Sequence, residues 1–271
     1  MMPGFTRNAS LLKETIFVSR PNRFLAIVRP RPGNSFAGDA SDGLIYAHVA
    51  DPGRLEELLV PGRRVYLAPV GSSPDSPPGR PGGPSSIVRR KTAAPRKAAR
   101  RRTAYDLVLV DFDGTLLSVD SRVPNEIVFE ALQMRFFKEL EGYSIITREA
   151  RYGEGRLDFR LSRPSGRDCL IEVKSVTLVR EGRALFPDAP TLRGARHMRE
   201  LARAVAGGLE AIVIFIVQRG DAHVFSPNDT TDPEFGRALR EAAEEGVEIW
   251  AYACCVTPAA IRLDRRIPVI L

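Results

Sequence analysis

The chain has 271 residues, a net charge of +7 at pH 7, 44% hydrophobic residues and three cysteines, enough for one large or two small domains of ordinary globular make-up. A disulfide scaffold is excluded, because Cys254 and Cys255 are adjacent and only Cys169 stands apart. A membrane-spanning helix is also excluded, since the longest apolar run, residues 211–217, falls far short of the roughly 20 residues a span needs; with no apolar leader at the start, a soluble cytoplasmic protein is the expectation.

Residues 14–20, 24–29, 44–49 and 64–70 are strand candidates separated by turn residues. Residues 53–60 suggest one or two helical turns before Pro61-Gly62. Several short strands with one short helix predict a small β-barrel of the OB type over residues 1–70. Residues 71–103 are different material. GSSPDSPPGRPGGPSS cannot fill a core and predicts disorder. The same stretch holds nine Lys and Arg against Asp75, net +8, which leaves 7 − 8 = −1 for the rest of the chain. Such a basic segment is either a solvated loop or a salt-sensitive, sequence-independent attraction for nucleic-acid phosphates.

From residue 104 the pattern turns α/β. Residues 105–110 are an apolar strand. Asn125 is placed to cap a helix running to about Leu140, with either Ile127, Ala131 and Met134 or Val128, Leu132 and Phe136 on one side. Pro190-Thr-Leu-Arg-Gly194 opens a second helix whose Met198, Leu201, Ala202 and Val205 recur at i, i+3, i+4 and i+7. Residues 211–217 are a strand buried on both faces. Asp232-Pro233 starts a third helix that Gly246 ends, and residues 247–252 form a last strand. The second domain, 104–271, is therefore expected to be a mixed sheet with helices on its faces.

The most informative segment is Arg156-Leu-Asp158-Phe-Arg-Leu, a turn at Arg163-Pro-Ser-Gly166, and Cys169-Leu-Ile-Glu172-Val-Lys174. It predicts a hairpin. With the turn centred on Ser165, Asp158 lies opposite Glu172, and Lys174 shares the face of Glu172. Two facing carboxylates destabilise a sheet unless a cation lies between them. Asp and Glu oxygens beside a Lys suit a Mg²⁺ held partly by protein and partly by phosphate; against that, a Glu-x-Lys pair on a strand is commonly just a solvated face.

A second acidic string competes with it. Asp111-Phe-Asp113-Gly-Thr115 after an apolar strand resembles the first motif of haloacid-dehalogenase-type phosphatases, with Asp111 as nucleophile and Asp113 as acid/base. The acidic pair which that family needs after a later strand is missing. Asp113-Gly114 between two apolar runs is instead a strong hairpin-turn signal.

Several phrases point one way together: Arg20-Pro-Asn-Arg-Phe-Leu25, Ala47-His-Val-Ala-Asp-Pro-Gly-Arg-Leu55, Glu149-Ala-Arg-Tyr, Arg156-Leu-Asp-Phe159, Glu172-Val-Lys-Ser-Val-Thr-Leu178, Phe186-Pro-Asp-Ala-Pro-Thr-Leu-Arg-Gly194, His197-Met-Arg-Glu-Leu201 and Gln218-Arg219. In this order they resemble the sugar fermentation stimulation protein A family. The resemblance implies an OB-like barrel followed by a restriction-endonuclease-like (PD-D/ExK) domain, DNA as partner, and a Mg²⁺- or Mn²⁺-dependent nuclease site. It implies Asp158 and Glu172 as metal ligands, Lys174 as the residue that steadies the attacking water and the developing charge, and Glu149 as a further acidic ligand. An ion pair of Glu149 with Arg148 or Arg151 is the alternative. Gln218 resembles a polar residue near such sites, or a sheet-end residue bonded to a loop.

Arg156, Arg193 and His197 are the phosphate-contact candidates beside the metal, with His197 expected at the helix edge. In the barrel, Arg23, His48 and Arg54 are candidates for DNA contact, with Phe24, Tyr46 and Tyr66 available for stacking; Arg23 and Arg54 serve otherwise to brace the turn around Asp51. Many nucleases of this fold act as homodimers, though no motif here marks a dimer surface. The long insert departs from the family pattern. The competing function is a DNA-binding regulator of sugar metabolism with little turnover.

Overall fold

The structure, a computed structural model, describes residues 2–33, 36, 43–70, 103–153 and 155–271. The basic insert, apart from Thr103, lies outside the described residues.

The chain first lays down β1 (Gly4–Thr6), then the barrel strands β2 (Lys13–Asn22), β3 (Leu25–Pro30), β4 (Ile45–Val49) and β5 (Arg64–Pro69). β6 (Tyr105–Phe112) and β7 (Thr115–Ser118) follow the insert. These six form one sheet in the order β4-β3-β2-β5-β6-β7, and a parallel pairing of β4 with β6 closes a five-stranded barrel. Phe17, Ala26, Val28, Ala47, Val65, Leu67 and Leu107 fill it, the inward set of alternating strands. Residues 53–60 make a single turn, with Leu58 and Leu59 both bonded back to the Leu55 carbonyl, and no helix.

The expected domain boundary at 103/104 is thereby corrected. β6 has no polar alternation because it is covered on both sides. Leu107 and Val110 face the barrel core, while Val108 and Leu109 pack with Ala68, Leu12 and Val256 of the second domain's sheet. A strand buried on two faces looks, in sequence, like a central strand of an α/β sheet. The first residues cross the other way, since β1 pairs antiparallel with the last strand of the second domain.

The second domain contains α1 (Val123–Gln133), β8 (Ile145–Tyr152), β9 (Gly155–Ser162), β10 (Cys169–Val176), β11 (Val179–Arg180), β12 (Arg183–Phe186), α2 (Leu192–Ala206), β13 (Glu210–Val217), β14 (Val224–Pro227), α3 (Pro233–Glu244), β15 (Glu248–Val256) and β16 (Ala260–Arg266). The main sheet runs β1-β16-β15-β13-β10-β9-β8, with β10, β13 and β15 parallel and the flanks antiparallel. A small sheet, β11-β12-β14, lies beside it. β13 is central, as its unbroken apolar run predicts: Ile212, Ile214 and Ile216 pack in the cluster under α1, and Val213, Phe215 and Val217 in the cluster under α2 and α3. Thr191 caps α2 by accepting from the Gly194 amide, and Asp232 caps α3 by accepting from the Phe235 amide.

Asn125 is not a cap. α1 begins two residues before it, behind Arg122, with Pro124 in its first turn, and the helix stops at Gln133. A separate short 3₁₀ turn covers Lys138–Leu140. Met134 is exposed. No helix among the described residues is long and apolar enough to cross a membrane.

Candidate active site

β9 and β10 pair at Cys169↔Leu161, Leu170↔Arg160 and Ile171↔Phe159. The next step in this register would join Glu172 to Asp158, which is the predicted pairing. The ladder ends just before it, and β9 parts from β10 there. Asp158 fills the opening: its Oδ2 accepts from the Val173 amide at 2.7 Å, and its Oδ1 accepts from Asn125 Nδ2 at 2.8 Å. Asn125, on the first turn of α1, thus anchors a site residue. The sequence signal for it was Pro-Asn at a helix start, which also fits a cap.

Glu172 and Lys174 lie on the α2 side of β10. Lys174 Nζ donates to Glu172 Oε1 at 2.5 Å, and His197 Nδ1 contacts the same oxygen. His197 Nε2 accepts from Arg193 Nε at 3.3 Å. The other oxygen, Glu172 Oε2, is buried and has no hydrogen-bond partner among the described residues, an arrangement that costs free energy unless another ligand completes it. Burial and then the neighbouring Glu172 charge push the Asp158 carboxyl above its usual range. Burial also opposes ionisation of Glu172, but Lys174 and His197 outweigh it and hold that carboxyl below its usual range. A cation would relieve the Asp158–Glu172 repulsion and take up the free oxygen. Among the described residues no group of three or more His, Cys, Asp and Glu gathers at metal-ligand spacing. Any cation there would have at most the two carboxylates from the described residues and would take its remaining ligands from water or phosphate, as Mg²⁺ and Mn²⁺ accept.

The other predicted site residues fall in three places. His197 is 1% exposed, not at the helix edge. It sits under the site rather than facing a phosphate, because α2 turns it onto β10 with Met198 and Leu201. Arg193 is exposed on the same helix. Glu149 is exposed and stands on a residue with φ 49°; its partner is Arg156, at 3.3 Å, rather than Arg148 or Arg151. An exposed, ion-paired Glu149 is not gathered with Asp158 and Glu172 here. Gln218 is wholly buried at the end of β13, where its Nε2 donates to Ser175 Oγ at 2.9 Å and its backbone carbonyl accepts from the Ser118 amide. Its side chain thus bonds β10 beside Lys174 and not a loop, at the junction with the barrel, and its Oε1 has no partner among the described residues.

In the barrel the brace is Arg20. Its guanidinium donates to the carbonyls of Arg23, Asp51, Gly53 and Arg54, which leaves the Arg23 and Arg54 side chains exposed. The Asp51 carboxylate accepts from the Gly53 amide. Gly53 itself is pressed against the second domain: an added Cβ would stand 2.2 Å from Asp188 Oδ2. That contact pins the loop carrying Arg54 to the segment that opens α2 and carries Arg193. Phe24 and Tyr46, 52% and 39% exposed, are the exposed aromatic side chains among the described residues. His48 stacks on Phe24 with ring centroids 6.3 Å apart. Tyr66 is only partly exposed, packed beside Val108 and Leu109.

The Asp111–Thr115 string is a turn. Asp113 and Gly114 both have positive φ, 51° and 88°, as a two-residue hairpin turn requires. The Asp111 carboxylate accepts from the Gly114 amide and pairs with Arg64.

An OB barrel set against a restriction-endonuclease-like sheet, with a Lys and two acids at a split hairpin, defines the class of this molecule. Family profiles agree: "SfsA N-terminal OB domain" matches residues 18–80 and "Sugar fermentation stimulation protein RE domain" matches residues 122–260. The chain belongs to the sugar fermentation stimulation protein family. It is 44% identical to the sugar fermentation stimulation protein homolog of Moorella thermoacetica, covering 94% of each chain. It is 41% identical to that of Desulforamulus reducens over the whole of both chains. The structure of Pyrococcus furiosus SfsA in complex with Ca²⁺ superposes with a TM-score of 0.75, at 29% identity and 96% coverage of both chains.

Proposed function

We propose that the protein binds DNA across the barrel and the second domain and hydrolyses phosphodiester bonds with Mg²⁺ or Mn²⁺ at Asp158 and Glu172. The observation that carries this reading is the buried, unpartnered oxygen of Glu172 beside a second carboxylate whose ionisation it opposes. The Ca²⁺ bound by the P. furiosus relative supports a cation in a fold of this kind.

When bound, the cation supplies Lewis acidity at the phosphate and a water of lowered pKa. The chain's own residues do the rest. Asn125 and the Val173 amide hold Asp158 in one orientation. Lys174 Nζ, next to Glu172, is placed to orient the attacking water and to stabilise charge growing on the phosphate. Arg193 and Arg156, both exposed, offer guanidinium contacts to phosphates. Arg23, Arg54, Phe24, Tyr46 and His48 on the barrel combine cations with aromatic faces, the usual means of holding a strand without reading its sequence. The insert at 71–103 adds non-specific, salt-dependent attraction.

The second reading is a regulator that binds DNA without turnover. It is favoured by the fact that each Asp158 oxygen already accepts a hydrogen bond. Labelled single- and double-stranded DNA, incubated with Mg²⁺, Mn²⁺ or EDTA, separates the two. Metal-dependent cutting by wild type that Lys174→Ala loses, with mobility-shift binding retained, is the expected result. Binding without cutting in every metal moves the assignment to the regulator.

A further inference from the structure

The two acids and the lysine do not account for His197 and Arg193. His197 is buried on α2, and its ring is held at both nitrogens: Nε2 accepts from Arg193 Nε, and Nδ1 meets Glu172 Oε1. An Arg has donors only. A bond from Arg193 to Nε2 therefore requires that nitrogen to be bare, so the ring proton sits on Nδ1 and is donated to Glu172. Lys174 donates to the same oxygen. Two donors on Oε1 leave the carboxylate one rotational setting, and in it Oε2 has no partner among the described residues.

We infer that His197 is a positioning residue for the cation site, with Arg193 fixing its tautomer so that Glu172 Oε1 is tied down and Oε2 is presented to the metal. This rests on the cation reading above and goes further, because it assigns His197 and Arg193 work that a phosphate-contact role does not include. A partner behind a metal ligand fixes that ligand's orientation, and losing it typically lowers metal affinity about 10–100-fold. Arg193 is the exposed end of the relay. A phosphate that engages it acts on the same chain of bonds that ends at Glu172.

Two measurements test the inference, and the first needs no metal. The chain has three histidines, so the side-chain ¹⁵N spectrum of the apo protein is simple to assign. His197 is expected with its proton on Nδ1 and a bare Nε2, and Arg193→Ala is expected to shift the Nε2 resonance. A ring protonated on Nε2 overturns the relay. The second is Mn²⁺ titration by calorimetry, with melting in EDTA to show that each variant is folded. In His197→Asn, the amide nitrogen stands near the place of Nδ1 and keeps the donor to Glu172. In His197→Gln it is displaced toward the place of Nε2. Mn²⁺ affinity is expected to stay within about threefold of wild type in His197→Asn and to fall at least tenfold in His197→Gln, the low end for such partners. Equal affinities for wild type and both variants, or equal losses in the two, overturn the inference while the cation site stands. A wild type that takes up no Mn²⁺ overturns the cation reading itself.

Discussion

Two hairpins of this molecule carry acidic motifs, and the two are built differently. In the β6–β7 hairpin, Asp113 is 80% exposed with Arg63 nearby, and Asp111 is spent on the Gly114 amide and Arg64. Every acid there has its needs met, and the turn is what the residues specify. In the β9–β10 hairpin the strands separate at the very pair where two acids meet. Asp158 is wedged into the gap, and Glu172 keeps a buried oxygen without a partner among the described residues. The strings Asp-x-Asp-Gly-Thr and Asp…Glu-x-Lys are comparably suggestive on paper. Burial together with an unmet hydrogen-bonding capacity tells them apart.

The largest expected effect strikes that contrast directly. Lys174→Ala or Asp158→Ala should lower metal-dependent cleavage by on the order of 10²–10³-fold, the scale for removing one electrostatic element of a transition-state site. Asp111→Ala, in the same single-turnover assay, should stay within about twofold of wild type. An equal loss in Asp111→Ala would erase the distinction between the hairpins.

Asp51 sharpens the comparison by asking whether burial alone makes a site. Burial raises its carboxyl to about 6, yet it has the Gly53 amide and Arg20 close by and serves as a loop anchor. The folded state holds the Asp51 proton more tightly than the unfolded chain. Its contribution to stability is therefore full below the ordinary value of 3.8 and is lost as pH rises through about 6. Asp51→Asn should raise the stability at pH 7 by on the order of 3 kcal/mol and by well under about 1 kcal/mol at pH 4. Denaturation midpoints at the two pH values decide this, and a variant destabilised at pH 7 but not at pH 4 would show the charge to be needed.

Gly114→Ala is a smaller change. An added Cβ meets nothing within 4 Å, so only the left-handed backbone is penalised, by roughly 1–2 kcal/mol. Melting should register that cost, and cleavage should not change. The smallest expected effect is the stability change in Asp111→Ala. One half-exposed ion pair and one turn hydrogen bond go, and the loss should stay near 1 kcal/mol. A loss of several kcal/mol would mean that the turn depends on this acid more than its contacts indicate.

Much of the geometry of the candidate site was legible in the sequence because it is local. The hairpin turn fixes the Asp158–Glu172 register, and a period of two puts Lys174 on the face of Glu172. Residues joined through long-range contacts were not. Asn125 reaches across from α1, and a Pro-Asn pair at a helix start fits a cap equally well. His197 follows the helical period only to within one position, so the sequence left it at the edge of α2 when it is buried. In the fold, the α2, α3 and β13 patterns were plain from capping residues and apolar periodicity. The barrel's closure was hidden because β5 and β6 pair across the insert at 71–103. A β6 covered on both faces also mimics a strand of the second domain.

The most direct test of the central claim is a count of bound Mn²⁺ by electron paramagnetic resonance in wild type, Asp158→Ala and Asp111→Ala. The account predicts one tight Mn²⁺ per chain in wild type and in Asp111→Ala, and loss of it in Asp158→Ala. Retention of the ion in Asp158→Ala, or its loss in Asp111→Ala, would contradict the assignment of the β9–β10 hairpin as the cation site.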